Sequence, residues 1–164
     1  MTKKQVTNSE AFIEISRRKL SEDYLPKIRR CFETLSEEDI WWRAHETNNS
    51  VGNLVLHLCG NVRQWIISGI GGKDDIRDRP AEFAGGSFSK QTLLHRLEEA
   101  LRETDIALKN FDTSRLLEKR IIQGFEVTCL EAVFHVVEHF SGHVGQIIFI
   151  TKLRSGRDLK FYNL

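Results

Sequence analysis

Long stretches in which apolar residues recur with the 3.6-residue period of an α-helix are the feature that most constrains the fold of this chain. The 164 residues include only two prolines, so little interrupts these stretches. Capping-box sequences begin at Thr7 and Thr128, and Asn48-Asn49-Ser50 offers a cap for a further helix. The pattern predicts four long helices.

The four predicted helices enclose a single apolar core. Their expected extents are Thr7 to about Phe32, Ser50 to about Gly69, Ser89 to about Asn110 and Thr128 to about Leu153. Pro26 is expected to kink or divide the first helix, residues 70–88 form a polar loop, and residues 117–127 favour a small hairpin. The predicted fold is an all-α four-helix bundle with a long crossover connection between helices 2 and 3, as one domain spanning residues 1–164.

Charge and cysteine content argue against several classes of protein. Lys and Arg total 24 against 23 Asp and Glu, and the basic clusters alternate with acids, so we expect no nucleic-acid partner. No apolar run approaches the roughly 20 residues that span a bilayer, and the first residues lack the apolar stretch of a signal peptide. The three cysteines are scattered without C-x-x-C spacing, which excludes a cysteine zinc site and suits a reducing compartment. We therefore expect a cytoplasmic protein with no membrane partner.

The most informative motif is HVVEHFSGHVGQ, in which His135, His139 and His143 follow one another at four-residue steps. Histidines four residues apart share a helix face, so His139 and His143 can converge on one metal ion. Because each step drifts by roughly 40° around the helix, a third ligand from another helix is easier to place. His57, at the border between an apolar and a polar stripe of the second helix, is the candidate. The alternative for each histidine is a hydrogen-bonded core or boundary residue.

Two motifs, H-L-x-G-N at His57 and H-x-x-x-H-x-G-Q at His139 and His143, make the chain recognisable. With the RDRPAEF loop between them, they resemble the DinB/YfiT-like metalloprotein superfamily, a damage-inducible four-helix family distinct from the polymerase of similar name. The resemblance covers essentially the whole chain. It implies a divalent metal, zinc or nickel, bound by His57, His139 and His143. Relatives commonly pair, so the resemblance also implies a homodimer.

Residues around these motifs suggest further roles. His135 could support the site from outside the ligand set, with Glu131 one turn earlier as its carboxylate partner, and Gln146 could orient a metal-bound water. Arg77 and Arg79, in the long loop, could clamp a substrate carboxylate. The alternative for these arginines is a set of local Arg–Asp and Arg–Glu pairs that stabilise the loop. No catalytic residue is identified.

The expected function is that of a metal-dependent enzyme. The resemblance implies a low-molecular-weight thiol S-transferase or a small-molecule hydrolase, whose partner is a small-molecule thiol or electrophile substrate. A metal held by the same three histidines can activate either a thiol or water, so the sequence leaves both chemistries open. The alternative is a non-enzymatic dimeric stress-response or binding protein with a structural metal. Trp41, Trp42 and Trp65 could serve such an interface as readily as a core.

Overall fold

Helices make up most of the computed structural model, which describes residues 6–86 and 88–161. The α-helices of these residues are α1 (Asn8–Arg18), α2 (Leu25–Thr34), α3 (Glu37–Trp41), α4 (Val51–Val62), α5 (Arg79–Phe83), α6 (Lys90–Lys109) and α7 (Cys129–Ser155). Two π-helical segments, Lys19–Tyr24 and Arg63–Ser68, join α1 to α2 and extend α4. A short 3-10 helix, Thr113–Arg115, follows α6. An antiparallel hairpin of β1 (Lys119–Ile122) and β2 (Phe125–Thr128) leads into α7.

Side-chain caps determine where several helices begin. In a capping box the first side chain accepts a hydrogen bond from a backbone amide three residues later, and the later side chain returns one. Such pairs open α1, α3, α4 and α7: Thr7–Glu10, Ser36–Asp39, Ser50–Asn53 and Thr128–Glu131. The helix starts predicted at Thr7, Ser50 and Thr128 are therefore confirmed. The loop predicted at residues 70–88 is also present, with the short helix α5 near its end.

Pro26 interrupts the first helical stretch without ending it. The π-helical segment Lys19–Tyr24 precedes α2, and Pro26 occupies the first turn of α2, where a backbone donor is not required. The amide of Leu25 bonds to the carbonyl of Leu20, five residues back. The expected interruption is therefore a wide helical turn, and residues 8–34 remain helical throughout.

Helix α4 lies at the centre of the packing. It contacts α6 on one side and α7 on another, while α2 packs against α7. The surrounding core is apolar, with Phe32, Leu97 and Phe140 among its largest fully buried side chains. Three buried polar residues recur every four positions along α4: Asn53, His57 and Asn61. This polar row positions the candidate site.

The length and hydropathy of the helices bear on membrane insertion. Among the described residues, no helix is long and apolar enough to cross a membrane.

Candidate metal centre

Three histidine side chains from two helices meet between α4 and α7. The Nε2 atoms of His57 and His139 lie 2.9 Å apart. The ring centre of His143 is 5.1 Å from that of His57 and 4.4 Å from that of His139. One ring nitrogen from each histidine lies within 4.8 Å of the other two. These three nitrogens could hold a metal ion.

The spacing and exposure of the cluster fit one bound metal. Two imidazole nitrogens that share a zinc ion at about 2.0–2.1 Å lie about 3.0–3.4 Å apart, close to the separation of the His57 and His139 nitrogens. His139 and His143 are half-buried, so one side of the cluster stays accessible. His57 is only 6% exposed, deeper than its predicted border position. The reason is that the polar side of α4 is covered by α5 and by the side chains of Arg77 and Glu82.

A buried carboxylate orients the His57 ring. Oε2 of Glu82 lies 2.8 Å from Nδ1 of His57, and both side chains are under 10% exposed. Nη2 of Arg77 also lies 3.1 Å from Nδ1, but it is closer to Oε2 of Glu82, at 2.9 Å, and donates there. Because a carboxylate only accepts hydrogen bonds, Nδ1 carries the proton and Nε2 keeps its lone pair toward His139. Burial raises the pKa of Glu82, but hydrogen bonds and charge from Arg77 and His57 outweigh burial and lower it overall. Glu82 is therefore ionised beside the candidate site.

Gly60 allows Glu82 to reach this position. A Cβ atom at Gly60 would lie 1.9 Å from Oε1 of Glu82 and 2.8 Å from Nε of Arg77. Any larger residue would displace the carboxylate. The glycine of H-L-x-G-N thus has a steric role, because it makes room for the residue that orients His57.

A side-chain amide orients His143 in the same way. Oε1 of Gln146 lies 2.7 Å from Nδ1 of His143, so Nδ1 donates and Nε2 remains free. Burial and the neighbouring imidazoles lower the pKa of His139 to about 3, and burial lowers the pKa of His143. Both rings are therefore neutral at pH 7, as a metal ligand must be. Gln146 was predicted to orient a metal-bound water. In the structure its side chain pairs with His143.

His135 lies beside the cluster without joining it. Its ring packs on Trp65, with ring centres 4.0 Å apart, and its Nε2 lies 3.2 Å from the side-chain nitrogen of Asn61. Glu131, the predicted partner of His135, instead accepts hydrogen bonds from Thr128 in the capping box of α7. The position of His135 suits a supporting role, and its neighbours differ from the predicted ones.

Comparison with known proteins identifies the family. The sequence model of the family described as "Protein of unknown function (DUF1572)" matches residues 7–163, nearly the entire chain. The chain belongs to the DUF1572 family. No curated protein sequence matches it significantly.

The DUF1572 chain is also similar to a solved structure. A DinB-like protein from Bacillus cereus ATCC 10987 superposes with a TM-score of 0.69 at 14% sequence identity. The match covers 92% of this chain and 94% of that one. At this identity the likeness shows the fold alone, so the DUF1572 protein has a DinB-like, mostly helical fold. The DinB-like fold that the two histidine motifs imply is confirmed.

The two loop arginines occupy different environments in this DUF1572 protein. Arg77 has a side chain only 4% exposed, and its Nε and Nη2 donate to the two oxygens of Glu82 at 2.6 and 2.9 Å. Its Nη1 donates to Gln64. This arrangement corresponds to the local Arg–Glu pair of the sequence analysis. Arg79, the first residue of α5, is exposed, and a contact with substrate remains a prediction for it.

Glu82 and Gly60 are not among the site residues predicted from the sequence. A signal for Glu82 exists in the DUF1572 chain, because Asp78 followed by Pro80 is typical of a helix start. In the structure Asp78 caps α5, and this one-turn helix carries Glu82 toward α4. The hydrogen bond from Asn53 to the backbone carbonyl of Glu82 holds the helix in place.

Proposed function

We propose that this DUF1572 protein is a metal-dependent enzyme that binds one divalent metal, zinc or nickel, through Nε2 of His57, His139 and His143. One observation carries the proposal. Two of the three rings have their Nδ1 atoms committed to acceptors, His57 to Glu82 and His143 to Gln146, which leaves Nε2 free in each. A histidine that merely fills a core needs a partner, but it does not need a free nitrogen facing two other imidazoles.

The chemistry follows from an accessible three-histidine site. A divalent metal held there supplies Lewis acidity, which favours deprotonation of either a thiol or water at neutral pH. Glu82 keeps the proton on Nδ1 of His57, and Arg77 balances the buried negative charge of Glu82. The half-buried faces of His139 and His143 leave a side from which substrate enters. The proposed reactions are transfer of a low-molecular-weight thiol to an electrophile and hydrolysis of a small molecule.

The architecture completes the proposal. We interpret the four long helical stretches as one four-helix bundle domain, with the connection between α4 and α6 as the long crossover. The DinB-like fold supports this interpretation. The three cysteines are buried and unpaired, which supports a reducing, cytoplasmic location.

Metal analysis of histidine variants tests the ligand assignment. His57→Ala and His139→Ala should each lose most of the bound metal, because either change removes one of three ligands. His95→Ala is the matched control, since this histidine lies on α6 with a side chain 69% exposed. Full metal retention in both ligand variants would refute the assignment. Turnover of a panel of thiols with electrophiles, lost on metal removal, then tests the enzyme.

A second candidate function is a non-enzymatic dimeric stress-response or binding protein whose metal is structural. Exposed apolar surface on α7 favours this second function, because such surfaces are often covered by another molecule. The large exposed side chains are Phe134, Phe149 and Leu153. A homodimer is proposed for both functions. Light scattering should then give twice the chain mass of 19.0 kDa.

A further inference from the structure

A cavity of about 550 Å³ lies between the carboxyl-terminal half of α7, the segment 42–49 and the first turn of α4. We call it the Gly145 cavity. Trp42, Asn48, Gly145, Gln146 and Phe149 are among its lining residues. Its volume lies within the range of about 300–1,000 Å³ that is usual for small-molecule sites.

The Gly145 cavity adjoins the histidine cluster. Gln146 lines the cavity and also accepts the hydrogen bond from His143. Gly142, another lining residue, precedes His143 directly, and Leu54 lies one turn before His57 on α4. A molecule in the cavity would therefore lie close to His143, with the side chain of Gln146 between them.

The two glycines on α7 are not explained by packing within the chain. Glycine inside a helix is unfavourable relative to alanine. A Cβ atom at Gly142 or Gly145 would nevertheless meet no other atom within 4 Å. Both residues face the cavity, so their effect is to keep that space open.

The lining of the Gly145 cavity carries no ionisable side chain. Its polar groups are amides and a hydroxyl, from Thr47, Asn48, Asn49 and Gln146. Its apolar groups include two aromatic rings, Trp42 and Phe149. A charged group placed against this lining, away from the metal, would lose water without meeting an opposite charge, which is costly. An uncharged ring with one or two hydrogen-bonding groups fits this lining.

One wall of the cavity is held in place from outside. The guanidinium of Arg154 lies 4.8 Å from the ring centre of Trp42, and Arg154 is itself bound to Asp39. The indole is therefore fixed as a flat surface before any ligand arrives.

We propose that the Gly145 cavity binds the molecule on which the metal acts, and that this molecule is uncharged and partly aromatic. The inference rests on the proposed function, because it takes the histidine cluster as the reactive centre. It narrows the substrate class to neutral electrophiles or neutral hydrolysable compounds. An anionic group held against this lining, away from the metal, would meet no opposite charge.

Two fluorescent dyes of similar size test the proposal on the full, metal-loaded chain. N-phenyl-1-naphthylamine is uncharged, and 8-anilinonaphthalene-1-sulfonate carries one negative charge. The uncharged dye should bind with one-to-one stoichiometry and at least tenfold more tightly than the anion. With nickel in place of zinc, its fluorescence in the complex should fall, because an open-shell ion quenches a nearby fluorophore.

Gly145→Leu should fill the cavity and weaken binding of the uncharged dye at least tenfold. The new side chain has open space in front of it, so we expect the variant to fold and to keep its metal. Ser141→Leu is the matched control, because it adds the same side chain to an exposed position of α7 that does not line the cavity. This control should bind the dye as the wild type does.

Each contrary result overturns a defined part of the proposal. Equal affinity of wild type and Gly145→Leu for the uncharged dye would refute the cavity as the binding site. Equal affinity of the wild type for the two dyes would refute the ligand class. Equal fluorescence of the dye in the zinc and nickel complexes would show that the dye does not bind close to the metal. A dimer that becomes a monomer in Gly145→Leu would show that a second copy covers the cavity. Failure of the wild-type protein to bind zinc or nickel would instead refute the proposed function, because metal content is measured separately before any dye is added.

Discussion

The orientation of His57 depends on two residues that do not contact the other histidines. Glu82 accepts a hydrogen bond from Nδ1 of His57 through one oxygen and binds Arg77 through both. Gly60 lies directly beneath this carboxylate, at a distance that leaves no room for a methyl group. Partners of this kind typically change metal affinity by about 10–100-fold when they are lost.

Gly60→Ala should weaken metal binding while the protein stays folded. The added methyl group must push the Glu82 carboxylate away, so the hydrogen bond to His57 lengthens and the ring loses its fixed orientation. We expect metal affinity, measured by competition with a chelating dye, to fall by about tenfold or more. Gly145→Ala is the control, since its methyl group meets no atom within 4 Å. Equal affinity in both variants would contradict the steric role of Gly60.

The histidines of the site could be predicted from sequence, whereas their supporting residues could not. His139 and His143 are four residues apart on one helix, so the period of the helix alone places them together. Glu82 is 25 residues from His57, and its approach depends on how α5 docks on α4. That docking relies on Gly60 and Asn53, whose contacts appear only in the folded chain.

At the scale of elements, the helix starts could be predicted closely and the wide turns within helices could not. Capping boxes at Thr7 and Thr128 are local in sequence, so they fix the beginnings of α1 and α7 without tertiary information. The π-helical segments Lys19–Tyr24 and Arg63–Ser68 have no such local signature. A π-helical turn differs from an α-helical one only in that each amide bonds to the carbonyl five residues back instead of four. The amino-acid composition of a segment does not reveal this difference.

An ion pair joins α3 to the end of α7. Nη2 of Arg154 lies 2.7 Å from Oδ1 of Asp39, and the same guanidinium covers Trp42. Burial raises the pKa of Asp39, but hydrogen bonds from Arg154 and Ser36 and the charge of Arg154 outweigh it and lower the pKa overall. A lowered carboxyl pKa stabilises the fold above the unfolded value of about 3.9, and this stabilisation is lost as the pH falls through the folded value.

Arg154→Met should therefore destabilise the protein more at pH 7 than below pH 3. At pH 7 we expect the free energy of unfolding to fall by about 0.5 kcal/mol, the usual magnitude for a partly exposed pair. As the pH falls through the lowered pKa of Asp39, the carboxyl becomes protonated, and the difference from wild type should shrink. Urea denaturation at both pH values measures this. Arg18→Met is the control: it breaks an exposed ion pair with Glu22, so the free energy of unfolding should fall by less. If the effect of Arg154→Met does not change with pH, the substitution removes packing alone and the ion pair contributes nothing.

At the scale of the whole molecule, the apolar core is separate from the histidine cluster. The buried apolar residues extend from Ile13 of α1 to Leu159 after α7 and include most of α4. The three clustered histidines are not among the residues of this apolar core, so we expect folding not to depend on the metal as it does in a zinc finger. The DinB-like fold could be predicted because the helical periods and both histidine motifs agree along the whole chain.

Removal of the metal should leave the helices intact. We expect a chelator to strip the metal while the far-ultraviolet circular dichroism keeps most of its amplitude. The melting temperature should decrease, because a ligand that binds only the folded state stabilises it according to its concentration. Simultaneous loss of metal and helicity would instead support the structural metal of the second candidate function. As a control for irreversible damage by the chelator, zinc or nickel is added back. This should restore the melting temperature.

The π-helical segment Arg63–Ser68 has a consequence for how sequences of this family vary in length. A π-turn holds one more residue than an α-turn, so loss of one residue there would return the helix to regular α geometry. His57 and Asn61 lie upstream and would keep their register, while the connection that follows Gly71 would absorb the shift. We therefore expect insertions and deletions among family members to concentrate in this turn, where the helix can gain or lose a residue without moving the histidines.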